Sequence, residues 1–217
     1  MKYKAAIFDL DGTLLDTIED IKETMNKVLE AKGYQKFTLH QYKYFVGKGV
    51  DNLIKQVIAA GNINPNEFDS IKKGYYEIYK TQSKVHTKAY DGINELLVEL
   101  SHNDVSINVL SNKPHVQTLD VIEHYFGLDV FDYVYGKKEE FMPKPNPDSL
   151  HDLINNLGLK TDDVIYIGDT ETDILTAKNA NVFSVGVLWG FRTEDELINA
   201  GANAIISKPG DLLKLMQ

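Results

Sequence analysis

The chain has no cysteine. Disulfides, thiolate nucleophiles and sulfur-ligated metals are therefore excluded, and any chemistry must run on oxygen and nitrogen groups. Positive charge is scarce as well. Against 32 aspartates and glutamates stand 23 lysines and arginines, a formal net charge of −9. That balance argues against nucleic acid or an anionic membrane surface as partner. An anionic small molecule would need locally gathered lysines or a cation. No apolar run approaches the length of a membrane span. The first apolar stretch is interrupted by Asp9 and Asp11 before it reaches signal-peptide length, so a cytoplasmic protein is expected. Internal repeats and low-complexity segments are missing too. What is present is ordinary for a soluble globular chain: 217 residues, 43% hydrophobic and 25% charged. That is enough to bury a sizeable core, as one domain or one domain with an insert.

The most informative stretch is Phe8-Asp9-Leu10-Asp11-Gly12-Thr13-Leu14. Lys4-Ala5-Ala6-Ile7-Phe8 before it has the uninterrupted apolar character of a short buried strand. Side chains at i and i+2 share one side of an extended chain, so Asp9 and Asp11 can converge on one small volume. Gly12 permits a sharp change of direction immediately afterwards. Two neighbouring carboxylates are costly unless a cation offsets them, or unless they share a proton and divide into an acid and a base. The plain alternative is a polar strand end with two solvated aspartates.

Beyond Leu15 the periodicity becomes helical. Ile18, Ile21, Met25, Val28 and Leu29 form one apolar stripe, with Asp16 or Thr17 able to cap its start and Gly33 just past its end. Val50, Leu53, Ile54, Val57 and Ile58, ended by Gly61, form a second. Ile71, Tyr75, Ile78 and Tyr79 form a third. No strand alternation occurs until well past Lys88. Residues 16–88 are thus expected to be an inserted all-helical cap, and residues 1–15 with 89–217 an α/β core. Phe45-Val46-Gly47-Lys48-Gly49 lies between cap helices. Its glycines allow close backbone approach and Lys48 carries a charge, although a plain interhelical turn has the same composition.

In the core, amphipathic helices alternate with apolar strands expected at Val105–Leu110, Phe131–Tyr135, Val164–Ile167, Val182–Val187 and Ala204–Ile206. The helix expected after Ser111-Asn112-Lys113-Pro114 carries Val116, Leu119, Ile122 and Phe126 on its apolar stripe. The fold class is therefore α/β, a doubly wound parallel sheet with an inserted helical domain. Ligands of such sheets bind outside the carboxyl ends of the strands. Asp9 and Asp11, Ser111 with Asn112, Lys144, and Asp169 with Asp173 all follow strands, in four separate loops. Singly, each has an ordinary reading: a helix cap, a solvated lysine, or acids favoured at a helix N-terminus. Jointly they point to a site.

Asp9-Leu10-Asp11-Gly12-Thr13-Leu14 resembles the first motif, D-x-D-G-T-L, of the haloacid dehalogenase superfamily. Val109-Leu110-Ser111-Asn112-Lys113 is similar to its second motif. Lys144-Pro145-Asn146-Pro147 is similar to its third, and Gly168-Asp169-Thr170-Glu171-Thr172-Asp173 to its fourth. The resemblance covers nearly the whole chain. It implies Asp9 as the nucleophile attacking phosphorus and Asp11 as general acid and base. It further implies that Ser111 and the Asn112 N–H bind phosphate, and that Lys144 neutralises nucleophile and phosphoryl oxygens. Asp11 points away from the dehalogenase branch, which lacks that residue. Mg²⁺ is the expected cofactor, held by Asp9, Asp169 and the backbone carbonyl of Asp11, with Asp173 orienting the site, for instance by pairing Lys144.

Among branches, the mutases carry a histidine where this chain has Ile21. Phe45-Val46-Gly47-Lys48-Gly49, Ser111-Asn112-Lys113-Pro114 and Trp189-Gly190-Phe191 look like the phosphoglycolate phosphatase branch, although Tyr90-Asp91-Gly92 departs from its usual Y-P-G. The expected substrate is a small phosphorylated metabolite, phosphoglycolate first. A pyrophosphatase or a broad sugar-phosphate or nucleotide phosphatase is the alternative. Gly47, Lys48 and Gly49 are the expected cap loop for the leaving group. A phospho-acceptor signalling module is the reading from another class, opposed by Asp11 and by the helical insert. A monomer or weak dimer is expected.

Overall fold

The structure, a computed structural model, describes every residue from Met1 to Gln217. The chain forms two compact units, one of residues 1–15 and 89–217, the other of residues 16–88.

Eight strands occur: β1 (Ala5–Phe8), β2 (Leu15–Asp16), β3 (Lys88–Ala89), β4 (Ser106–Pro114), β5 (Tyr133–Lys137), β6 (Val164–Gly168), β7 (Phe183–Val187) and β8 (Ala204–Ile206). The two-residue strands β2 and β3 pair with each other. The other six form one sheet in the order β5-β4-β1-β6-β7-β8, parallel throughout. β1 lies between β4 and β6, with Phe8 level with Val109 on one side and Ile167 on the other. The chain works outward from β1 to β5, then crosses to the far side for β6, β7 and β8. That reversal is where parallel sheets open a crevice at their carboxyl edge.

The unit of residues 16–88 holds four helices: α1 (Ile18–Ala31), α2 (Leu39–Phe45), α3 (Val50–Ala60) and α4 (Phe68–Gln82). Their apolar stripes are buried, Ile21, Met25, Leu29, Ile54, Val57, Ile71 and Tyr75 among them. Helix α2 has no long stripe to announce it. Its signal is the Thr38-x-x-Gln41 capping box, in which the Gln41 N–H donates to Thr38 Oγ1 and the Thr38 N–H to Gln41 Oε1. At the start of α1 the expected cap fails: Thr17 occupies the capping position but its hydroxyl makes no capping bond. Asp20, in the first turn, is buried instead, and accepts from the N–H groups of Val85, His86 and Thr87 and from the Thr87 hydroxyl.

The larger unit carries α5 (Ile93–His102), α6 (His115–Tyr125), α7 (Asp148–Asn156), α8 (Glu171–Asn179), α9 (Glu194–Ala200) and α10 (Asp211–Leu215). Alternation along the strands divides its core between the two sheet faces. Ala6, Phe8, Ile107, Val109, Ile165 and Ile167 pack with Leu96 and Leu100 of α5 and Ile122 of α6. Ala5, Ile7, Val164 and Tyr166 pack with Leu150 and Leu153 of α7 and Ala177 of α8.

Three details correct the sequence reading. β5 begins at Tyr133 rather than Phe131, because a short 3-10 turn over Leu128–Val130 directs Phe131 into the core and the ladder starts only at Tyr133 opposite Asn108. β4 runs on past Leu110 to Pro114, through a change of register against β5. Helix α6 buries Thr118, Val121 and Ile122, while Val116 is 78% exposed. The Thr118 hydroxyl donates to the carbonyls of Lys113 and Pro114, which holds that side of the helix inward.

Candidate active site

Asp9 follows β1 directly, its N–H donating to Ile167 O at 2.8 Å, so the two central strands hold its backbone. The next six residues wind tightly. The N–H groups of Thr13, Leu14 and Leu15 all reach Leu10 O, and that of Gly12 reaches Leu15 O. Gly12 has φ +89, and a Cβ there would lie 2.2 Å from Asp169 Oδ2. Only glycine lets the β1 loop come this close to the β6 loop. Thr13 closes the contact by donating its hydroxyl to Asp169 Oδ1 at 3.1 Å.

Lys144 is 3% exposed. Its Nζ donates to Leu110 O at 3.0 Å, Tyr166 Oη at 2.9 Å and Asp173 Oδ1 at 2.7 Å. These three bonds use all the protons of an ammonium. Asp9 Oδ1 lies 3.0 Å from the same nitrogen as an ion pair, but without hydrogen-bond geometry, and is left buried with no hydrogen bond. Burial alone would lower the Lys144 pKa. The carboxylates of Asp173 and Asp9 outweigh burial and hold it well above the usual lysine range.

The acids respond in the opposite sense. Burial pushes Asp9 up to about 7, helped by the charges of Asp173 and Asp11 and opposed by Lys144. Burial likewise holds Asp169 well above the carboxylate range, with Asp173 and Asp9 adding to it and the Phe191 N–H and Thr13 hydroxyl opposing. Asp9, Asp169 and Asp173 can each offer an oxygen within 4.8 Å of the others. A buried oxygen without a donor, crowded hard carboxylates and protonation favoured by burial and by mutual repulsion are what a divalent cation would relieve. The donor set therefore fits such an ion. Asp173 is the least available of the three. Its Oδ2 accepts from both the N–H and the hydroxyl of Thr170, and its Oδ1 is tied to Lys144. Asp169 keeps a lone pair on each oxygen beyond its bonds to Thr13 and Phe191.

The second motif is buried at the end of β4. Ser111 Oγ accepts from the Lys113 N–H at 3.2 Å, so it does not cap α6. The Asn112 side chain braces the Lys144 loop, accepting from the Lys144 N–H at 2.9 Å and donating to Lys144 O at 3.1 Å. The residue that sequence reasoning left without a role is Lys113. Its Nζ is 2.9 Å from Asp11 Oδ1 and 3.1 Å from Oδ2, and the residue is 7% exposed. A lysine directly after a Ser-Asn pair at a strand end was the available signal.

A second missed contribution comes from the loop after β7. The Trp189 indole N–H donates to Thr13 O at 3.0 Å and the Phe191 N–H to Asp169 Oδ2 at 2.8 Å. Gly190 between them has no room for a side chain. A Cβ would meet Asp169 Cβ at 2.3 Å and Gly12 O at 2.4 Å.

The structure thus brings together Asp9 and Asp11 after β1, Lys144 from the loop after β5, and Asp169 and Asp173 after β6, with Ser111 and Asn112 towards the end of β4. Gly47, Lys48 and Gly49 belong to the other unit, in the turn between α2 and α3, where Gly49 caps α3 with φ +81.

Comparison with known proteins bears on this arrangement. The model of the haloacid dehalogenase-like hydrolases matches residues 6–187. A phosphoglycolate phosphatase of Rhodobacter capsulatus is 33% identical over 190 residues, 87% of this chain and 85% of its own. One of Vibrio cholerae is 28% identical over 218 residues, 98% of this chain and 96% of its own. A crystal structure from Lactobacillus delbrueckii subsp. bulgaricus, of a protein provisionally named phosphoglycolate phosphatase, superposes with a TM-score of 0.92 at 31% identity. It covers 100% of this chain and 99% of that one.

Proposed function

Because this chain belongs to the haloacid dehalogenase-like hydrolases, we propose that it is a Mg²⁺-dependent phosphatase of small phosphorylated metabolites, working through an aspartyl-phosphate on Asp9, with phosphoglycolate as first substrate. The observation that carries the reading is the Asp9 carboxylate, buried against Lys144 with one oxygen lacking any hydrogen bond. A carboxylate oxygen beside an ammonium and not taken up by other donors has a lone pair available for attack. The names borne by relatives across most of the chain support the substrate. A pyrophosphatase or a broad sugar-phosphate or nucleotide phosphatase of the same family is the alternative.

In the first step an Asp9 carboxylate oxygen forms a bond to phosphorus. The ester P–O bond breaks, and its electron pair leaves on the alcohol oxygen, which takes a proton from Asp11. In the second step Asp11 takes a proton from water. The hydroxide oxygen bonds to phosphorus and the P–O bond to Asp9 breaks, restoring the carboxylate and giving inorganic phosphate. Ser111 and the Asn112 N–H hold phosphoryl oxygens, and Lys144 balances charge between Asp9 and the phosphoryl group. Asp9, Asp169 and the Asp11 carbonyl would hold Mg²⁺, which supplies charge neutralisation at the phosphoryl oxygens. Asp173 fixes Lys144. The helical unit acts as the cap, and Lys48 contributes to leaving-group selection.

Phosphate release from a panel of phosphomonoesters in Mg²⁺, with and without chelator, tests this. Turnover is expected to stop in chelator and to vanish in Asp9→Asn, whose neutral amide is isosteric but not nucleophilic. Full activity in either case overturns the reading.

A further inference from the structure

Lys113 carries an inference beyond the roles above. It is a buried ammonium paired with both oxygens of Asp11 at 2.9 and 3.1 Å, and the two-step reaction assigns it nothing. Resting on the phosphatase reading, we propose that Lys113 is a specificity-determining residue: it binds a second anionic group on the leaving side of the substrate, a carboxylate carried close to the ester oxygen.

Position makes the first part of the case. To receive a proton the leaving oxygen must lie about 2.6–3.2 Å from an Asp11 oxygen. Lys113 Nζ is one hydrogen bond beyond those same oxygens, so it stands within roughly 6 Å of the ester oxygen. A carboxylate on the carbon attached to that oxygen falls inside this radius. The ester oxygen of a neutral alkyl phosphate can approach the same place, but its substrate brings Lys113 nothing to bind.

Competition makes the second part. Lys113 touches both Asp11 oxygens, so an incoming ester oxygen must displace it from at least one of them. A buried ammonium gives up a charged acceptor readily only when another takes its place. An acidic substrate brings that acceptor with it, whereas a neutral one leaves Lys113 on Asp11 and the acid–base group occupied. Selection for an acidic leaving group therefore follows from how this ammonium is held. The chain's net charge of −9 makes a dedicated lysine the more necessary for a dianionic or trianionic substrate.

The test compares kcat/KM for phosphoglycolate and for 2-hydroxyethyl phosphate, a neutral-tailed ester of similar size, in the parent protein and in Lys113→Met, Lys113→Arg and Lys48→Ala. Lys113→Met is expected to lower kcat/KM for the acid about a hundredfold and for the neutral ester by less than tenfold. Lys113→Arg, which keeps the charge, is expected to restore most of the acid-to-neutral ratio and to guard against a folding defect. An equal loss on both substrates reduces Lys113 to a structural partner of Asp11 and overturns the proposal. So does a ratio that collapses in Lys48→Ala but survives in Lys113→Met. A parent protein that hydrolyses p-nitrophenyl phosphate yet shows no preference for the acid overturns the Lys113 role alone. One that hydrolyses no phosphomonoester overturns the phosphatase reading with it.

Discussion

Lys144 Nζ stands 3.0 Å from Asp9 Oδ1 and gives it no hydrogen bond. Its three protons go to Leu110 O, Tyr166 Oη and Asp173 Oδ1. The ammonium therefore lends Asp9 its charge while leaving the oxygen's lone pairs for another atom. A lysine hydrogen-bonded to the same oxygen would hold it back from reaction, since that bond would have to break before attack.

Asp173 maintains this division, and its removal has a measurable consequence. In Asp173→Ala the buried ammonium loses its shortest partner, and the N–H and hydroxyl of Thr170 lose theirs. Relief of acid crowding offsets part of the loss, because Asp173 also repels Asp9 and Asp169. Breaking a buried ion pair is the larger effect, and a destabilisation of about 3 kcal/mol is expected in urea unfolding of the metal-free protein. Asp173→Asn keeps acceptor oxygen and shape, and should lose clearly less. An unchanged urea midpoint in the alanine variant would show that Lys144 finds an equivalent partner elsewhere.

Stability should also depend on pH in a direction set by the crowded acids. Burial, reinforced by neighbouring carboxylates, raises Asp9 to about 7 and Asp169 well above its ordinary value. A folded-state value above the unfolded one means that the folded protein binds the proton more tightly. Its stabilising contribution is full below about pH 4 and is lost as pH rises through about 7. Metal-free protein should accordingly show a falling Tm between pH 5 and pH 8. Added Mg²⁺ should raise Tm more at pH 8 than at pH 5, because only the deprotonated carboxylates bind it well. Thermal scans at the two pH values, with and without Mg²⁺, check both signs. A Tm that is flat in chelator, with equal Mg²⁺ shifts, would contradict them.

Asp11 makes a third prediction through the leaving group. Asp11→Asn cannot protonate the departing oxygen, which matters for an alkoxide and hardly at all for p-nitrophenolate. The variant should lose about a hundredfold or more on alkyl phosphates and far less in the first step on p-nitrophenyl phosphate, separable by burst kinetics. Equal losses in that step would remove Asp11 from acid catalysis.

The sheet was legible because its strands are short apolar runs ended by polar clusters: Ala5–Phe8, Val164–Gly168 and Phe183–Val187 need no tertiary information. Val116 was not legible in the same way. Its spacing from Leu119 suits a helix stripe, but the buried side runs through Thr118, Val121 and Ile122, with the Thr118 hydroxyl bonded to the carbonyls of Lys113 and Pro114. In the site, sequence gave the acids and lysines at the strand ends but not their pairings. Lys113 meets Asp11 across 102 positions, and Trp189 meets Thr13 across 176. No local pattern encodes either. Trp189-Gly190-Phe191 could be quoted as a signature, yet its physical purpose appears only when Gly190 is seen against Asp169.

That contact supports the last prediction. Alanine at position 190 would place its Cβ 2.3 Å from Asp169 Cβ and 2.4 Å from Gly12 O. The second obstacle is backbone in a tightly hydrogen-bonded loop, so it cannot swing aside. The loop after β7 must move away instead, carrying the Phe191 N–H from Asp169 Oδ2 and the Trp189 indole from Thr13 O. Gly190→Ala alters no acid of the site, yet it unfastens the carboxylate expected to bind the cation. It should raise the Mg²⁺ concentration for half-maximal activity at least tenfold, in line with the loss seen when groups orienting metal ligands are removed. Trp189 is the chain's single tryptophan, so its fluorescence reports directly on the loop. A shifted emission maximum should accompany the weaker Mg²⁺ response. An unshifted spectrum with a normal Mg²⁺ titration would mean that the loop accommodates a methyl group and that glycine is not required there.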